Sequence, residues 1–123
     1  MTVTLIIPRC PPRSLNRLLR MHWARRQELM ELWRQEVAAA AARAGRPRFK
    51  AAEVRLRLFY DRYPLPDLDN ALAAASKLVL DGLVRAGILP DDDARHVRGL
   101  TIAELAVDRA EPRVEVEVTA VED

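Results

Sequence analysis

Two segments of this chain alternate strictly between apolar and polar residues, and that period limits the possible folds more than any other feature. In EVRLRLFY (53–60), Val54, Leu56, Leu58 and Tyr60 alternate with Glu53, Arg55 and Arg57. In RVEVEVTA (113–120), Val114, Val116 and Val118 do the same among charged neighbours. Successive side chains on a strand point to opposite faces, so both segments predict strands with one buried and one solvated face. A sheet of that kind needs one helical layer, and the chain offers two helices for it. The first is predicted from about Met21 to Ala44, with Leu29, Leu32, Trp33, Val37, Ala40 and Ala41 at helical spacing and Gly45 and Pro47 as its stop. The second follows Pro66, with Leu68, Leu72, Ala75, Val79, Leu83 and Ala86 as its apolar stripe. TVTLIIP (2–8) and roughly His96 to Val107 supply two more strands; RCPPRSLNR reads as a loop, and Glu111-Pro112 as a turn. The expected order is β-α-β-α-β-β, a two-layer α/β (α+β) fold on a small mixed sheet, forming a single domain over residues 1–123.

Composition excludes several classes. Half the residues are hydrophobic and 31% are charged, which argues against disorder. No apolar run approaches the ~20 residues that cross a bilayer, so no membrane partner is expected. The opening MTVTLIIPRC lacks the charged leader and apolar length of a signal peptide. Cys10 is the single cysteine, so no internal disulfide can form; it reads as a small buried residue in a cytoplasmic protein. His22 and His96 are too far apart for a zinc motif, Ser14 and Ser76 lack a nearby His-and-acid set, and no glycine-rich phosphate loop is present. No organic cofactor is expected.

Charge is divided unevenly. Residues 1–60 carry 13 basic and 4 acidic side chains, and residues 61–123 carry 7 basic and 14 acidic. Nearly all the cations are Arg, whose planar fork suits phosphate oxygens. Arg13, Arg17, Arg20, Arg25 and Arg26, with the strand 53–60, are the candidate nucleic-acid-contacting residues; surface charge that merely solvates helices is the competing reading. Trp23 and Trp33 read as core or dimer-interface residues, with stacking of His22, next to Trp23, on a nucleobase or ribose as the alternative.

The acidic half has its own pattern. Asp67 and Asp69 open the second helix, and Asp91, Asp92 and Asp93 follow its end at Gly87. Either cluster has a structural explanation, since Asp is a preferred helix cap and a common turn residue. If the clusters converge they repel, unless a hard divalent cation relieves them.

These residues, in this order, resemble the RusA-like Holliday-junction resolvases. The resemblance rests on Asp67-Leu68-Asp69-Asn70, Lys77, Asp81-Gly82-Leu83, Gly87 and Asp91-Asp92. It implies a homodimeric endonuclease, dependent on Mg²⁺ or Mn²⁺, that cuts four-way DNA junctions by paired nicks in recombination and repair. Carried over position by position, Asp67, Asp69 and Asp92 would hold the metal, with Asp91 as the alternate to Asp92. Lys77 would be the basic residue of the site. The chain departs from the family in placing this Lys seven residues after Asn70 rather than about one turn after the acidic pair, and in having Pro66 before Asp67. The main rival is a catalytically weak or inactive dimeric protein that binds branched DNA. A small regulatory protein with no DNA role is a third possibility.

Overall fold

The computed structural model describes residues 1–122. In chain order the elements are β1 (Thr2–Ile7), α1 (Leu15–Arg20), α2 (Trp23–Arg43), β2 (Ala52–Tyr60), α3 (Leu68–Arg85), β3 (Val97–Val107) and β4 (Arg113–Ala120). They form one mixed sheet in the order β1-β4-β2-β3. β4 is antiparallel to both β1 and β2, whereas β3 runs parallel to β2. Parallel neighbours need a crossover, and α3 provides it. The expected α/β class, strands and two long helices are all present. The short helix α1 is an addition that begins inside the segment read as a loop and runs three residues past it. Its N-cap is Ser14, whose hydroxyl accepts from the Arg17 amide at 3.3 Å.

The alternation does what it implies. Leu5, Ile7, Val54, Leu56, Leu58, Tyr60, Val114, Val116 and Val118 form the buried face beneath the helices. The other face is a layer of ion pairs. Glu117 takes Arg55 at 3.6 Å and Arg57 at 3.3 Å, and Arg113 joins Glu115 at 2.8 Å while lying 3.9 Å over the Phe59 ring. A register shift in β3 pairs Leu56 with Ile102 but Arg57 with Glu104, so Ala103 is an extra residue. That bulge returns Leu105 to the helix-facing side and explains why β3 shows no clean alternation in sequence.

Both long helices end in the same way. Gly45 and Gly87 adopt φ of +87° and +78°, and the residue after each donates back to Ala41 and Leu83 respectively. This left-handed ending satisfies the last carbonyls and favours glycine. Two stripe residues do not face the core: Leu32 is 42% exposed and Leu68 is 63% exposed. Leu32 is about 100° around α2 from Trp33. Leu68 lies in a first turn that stands clear of the core, where the first buried residue is Ala71.

The helices meet at a close contact set by Asp81-Gly82-Leu83. A Cβ built on Gly82 would fall 2.6 Å from Val37 Cγ2 and 2.9 Å from Val37 Cβ. One position away, the Arg34 guanidinium donates to Asp81 at 2.7 and 3.4 Å, and Leu83 is fully buried. Gly82→Ala should therefore lower stability by about 1–2 kcal/mol, because overpacking outweighs the ~1 kcal/mol helix preference of Ala. In a Val37→Ala background the same substitution should be neutral or stabilising. Urea midpoints of the four proteins check this, and an unchanged sign in both backgrounds refutes it.

Candidate functional site

The connector from β2 to α3 is held by Arg13. Its guanidinium donates to the carbonyls of Pro64 and Arg62, the latter at 2.6 Å, pairs with Asp61 at 3.3 Å, and lies 5.1 Å over the Tyr60 ring. The Tyr60 hydroxyl donates to the Pro12 carbonyl, and burial pushes its pKa up to about 12. The Tyr63–Pro64 peptide within this connector is cis. Arg13 is thus a clamp on the backbone rather than an available phosphate contact.

The clamp delivers the chain to the first turn of α3. Asp67 is its N-cap, with φ −62° and ψ 152°, and its backbone carbonyl accepts from the Ala71 amide. Its carboxylate makes no capping hydrogen bond. Asp69, the acidic residue of the first turn, accepts only from the neighbouring Asn70 amide at 3.0 Å. Both side chains are exposed. Capping therefore does not account for Asp67. Lys77 is exposed farther along α3, about 12 Å and roughly 80° from Asp69.

The second acidic cluster divides by role. Asp93 organises the loop: it accepts from the Arg95 amide at 3.1 Å, meets His96 Nδ1 at 2.6 Å, and pairs with the Arg95 guanidinium at 3.2 Å. Desolvation works to raise its pKa, but the hydrogen bonds from His96 and Arg95 outweigh that and hold it below the ordinary 3.8. Asp91 accepts from the Asp92 amide at 2.7 Å. Asp92 is exposed.

The crossover determines where these groups lie. α3 is 18 residues long, about 27 Å from end to end. At its far end the Ile88 carbonyl accepts from the Phe49 amide at 2.9 Å, and the His96 carbonyl accepts from the Ala52 amide at 2.8 Å. The loop bearing Asp91–Asp93 is therefore tied to the start of β2, whereas Asp67 and Asp69 follow the end of β2, a nine-residue strand about 26 Å long. Among the described residues no group of three or more His, Cys, Asp or Glu is placed to hold a metal ion. The expectation that acids from the two ends of the helix meet is not met within one chain.

The arginines also separate into two sets. Arg26 donates to the Leu19 carbonyl at 3.1 Å and ties α1 to α2. Arg55 and Arg57 serve the sheet's own glutamate, so β2 is not a basic surface. Arg17, Arg20 and Arg25 are exposed with no ion pair among the described residues. Trp33 is core at 2% exposure, but Trp23 is 66% exposed, next to His22. Cys10 is exposed rather than buried, its thiol 3.6 Å from Asp61. No helix among the described residues is long and apolar enough to cross a membrane. Comparison with protein-family models and with curated proteins finds no match for the chain.

Because Asp93 has a depressed pKa in the fold, its contribution to stability is complete above about pH 4 and is lost as pH falls through the lowered folded-state value. Asp93→Asn should therefore unfold at lower urea than the parent at pH 6, and the gap should shrink below about pH 4. A gap that stays constant down to pH 2.5 on the same denaturation curves would show that the carboxylate is not the cause.

Proposed function

We propose that the protein is a divalent-metal-dependent endodeoxyribonuclease of the RusA-like kind, acting on four-way DNA junctions as a homodimer. The observation that carries this reading is the state of the Asp67 carboxylate. It stands where a cap belongs, yet it caps nothing. Asp69 and Asp92 are likewise exposed, while Asp81 of the same signature and Asp93 just after it are engaged in ion pairs. Exposed oxygen donors of this kind fit Mg²⁺ or Mn²⁺, which combine one or two carboxylates with waters and substrate phosphate.

A centre that uses all three carboxylates would need a second copy. Asp92 of one chain lies at the opposite end of the sheet from its own Asp67 and Asp69, so a three-carboxylate centre has to be shared. A two-fold axis that brings Asp92 of one subunit to Asp67 and Asp69 of the other makes two equal centres, as paired nicks on a symmetric junction require. Asp67 and Asp69 in the first turn of α3, with Asp92 of the second copy, would hold the divalent ion, which would supply Lewis acidity toward water and the phosphate, and Lys77 would offset phosphate or leaving-group charge. The separation of Lys77 from Asp69 favours the second reading, a dimer that binds junctions but cuts them weakly or not at all.

Asp69→Asn should abolish Mg²⁺-dependent cutting of a synthetic four-way junction while junction binding stays within about threefold, since it removes a ligand and no DNA-contacting cation. Asp92→Asn should do the same. A mixture of the two variants, allowed to exchange subunits, should regain activity, because half of each mixed dimer then holds an intact shared centre. Undiminished cutting by either variant refutes the assignment. Failure of the mixture to recover, with exchange verified, refutes the shared arrangement alone. Binding without cutting by the parent in Mg²⁺ and in Mn²⁺ leaves the second reading.

A further inference from the structure

We infer that Trp23, which follows Arg17 and Arg20 and precedes Arg25 in the chain, is a stacking platform for an unpaired nucleobase of a DNA strand. This rests only on the DNA-binding half of the reading above and requires neither metal nor the acidic residues.

Trp23 is the first residue of α2 and is two-thirds exposed, whereas Trp33 on the same helix lies in the core. The fold therefore has no packing use for the Trp23 indole, yet the backbone beneath it is well held. His22 Nδ1 accepts from the Ala24 amide at 3.3 Å, the Arg26 amide donates to the His22 carbonyl at 3.0 Å, and the Arg26 side chain bridges to Leu19. The His22 ring stands 5.8 Å from the indole, centroid to centroid, at 33°.

The surroundings select the occupant. Residues 1–27 contain six arginines and no Asp or Glu. Arg20 and Arg25 lie within three residues of Trp23, and both are exposed without ion pairs, as is Arg17. An isologous contact between two copies at this patch would bring six unpaired guanidinium groups together, which disfavours self-association there. A nucleic-acid strand meets both demands: its base offers a flat face to the indole and its phosphates meet the cations. Such a site suits the splayed bases at a branch point, where stacking is incomplete.

The test is a fluorescence titration of the full chain in EDTA with a 12-nucleotide oligothymidylate, beside an abasic strand of equal length. Base-containing DNA should quench Trp23 emission, and the abasic strand should not. Trp23→Phe should remove the quench and leave the buried Trp33 emission indifferent to DNA. Trp23→Ala should weaken oligothymidylate binding roughly 5- to 150-fold, the usual range for one stacked base. Equal quenching by the abasic strand, unchanged affinity in Trp23→Ala, or a Trp23 signal that shifts with protein concentration and ignores DNA each overturns the proposal. Junction cutting that persists in Trp23→Ala with unchanged affinity would remove the platform and leave the nuclease reading standing. Quenching without any cutting would do the reverse.

Discussion

The parallel pairing of β2 with β3 is the constraint from which the rest of this molecule follows. Two parallel neighbours oblige the chain to travel back along the sheet between them, and the 18 residues of α3 make that return. A helix used in this way has one end above the finish of one strand and the other above the start of the next. Any chemistry encoded at both ends is therefore split across the height of the domain. The acidic clusters that are close in the written chain are consequently remote in the folded one. The proposed centre shared between two subunits would reunite them without altering the fold.

Holding α3 in place needs the contact at Gly82. Removing one side chain lets Val37 seat against the α3 backbone, and Arg34 then reaches Asp81 with two hydrogen bonds. The triplet Asp81-Gly82-Leu83 thus acts in helix packing, and its place within the resolvase-like pattern does not require it to touch DNA. The same logic separates Asp93, whose partners are His96 and Arg95, from Asp92 beside it. Within this acidic stretch, some residues build the scaffold and others remain exposed. Hydrogen-bond partners distinguish them where residue type does not.

Much of the fold could be read from periodicity alone. Strands 53–60 and 113–120, and the helices ending at Gly45 and Gly87, appear within a residue or two of their expected limits, because burial on one face leaves a direct trace in the pattern. Three features escaped it for identifiable reasons. α1 is only six residues long and sits among prolines, although Ser14 followed by Leu15 and Leu18 marks its start. The bulge at Ala103 shifts the phase of β3, so its inward residues do not alternate. Leu32 and Leu68 fit an idealised stripe, but the real helix faces are narrower. Of the candidate site, the residue types and the helix length that holds the two acidic clusters apart were legible, whereas the partners that engage Asp81 and Asp93 were not, since those depend on tertiary contacts that leave no local signal.

The arginines show why a charge written in a sequence is not yet a charge presented to a ligand. The strongly basic first half suggests a broad anionic partner, but its cations have different fates. Arg13 clamps the connector, Arg34 braces α3, Arg26 joins two helices, and Arg55 and Arg57 neutralise Glu117. Each cation already engaged with protein oxygens would have to give up that partner to meet a phosphate, so its net gain on binding is small. Among the described residues, Arg17, Arg20 and Arg25 are without ion pairs around α1 and the opening turn of α2, near the exposed indole, and Arg46, Arg48 and Lys50 are without them beyond the other end of α2. The exposed, unpaired cations of the first half are therefore divided between the two ends of α2 rather than spread over the whole of that half.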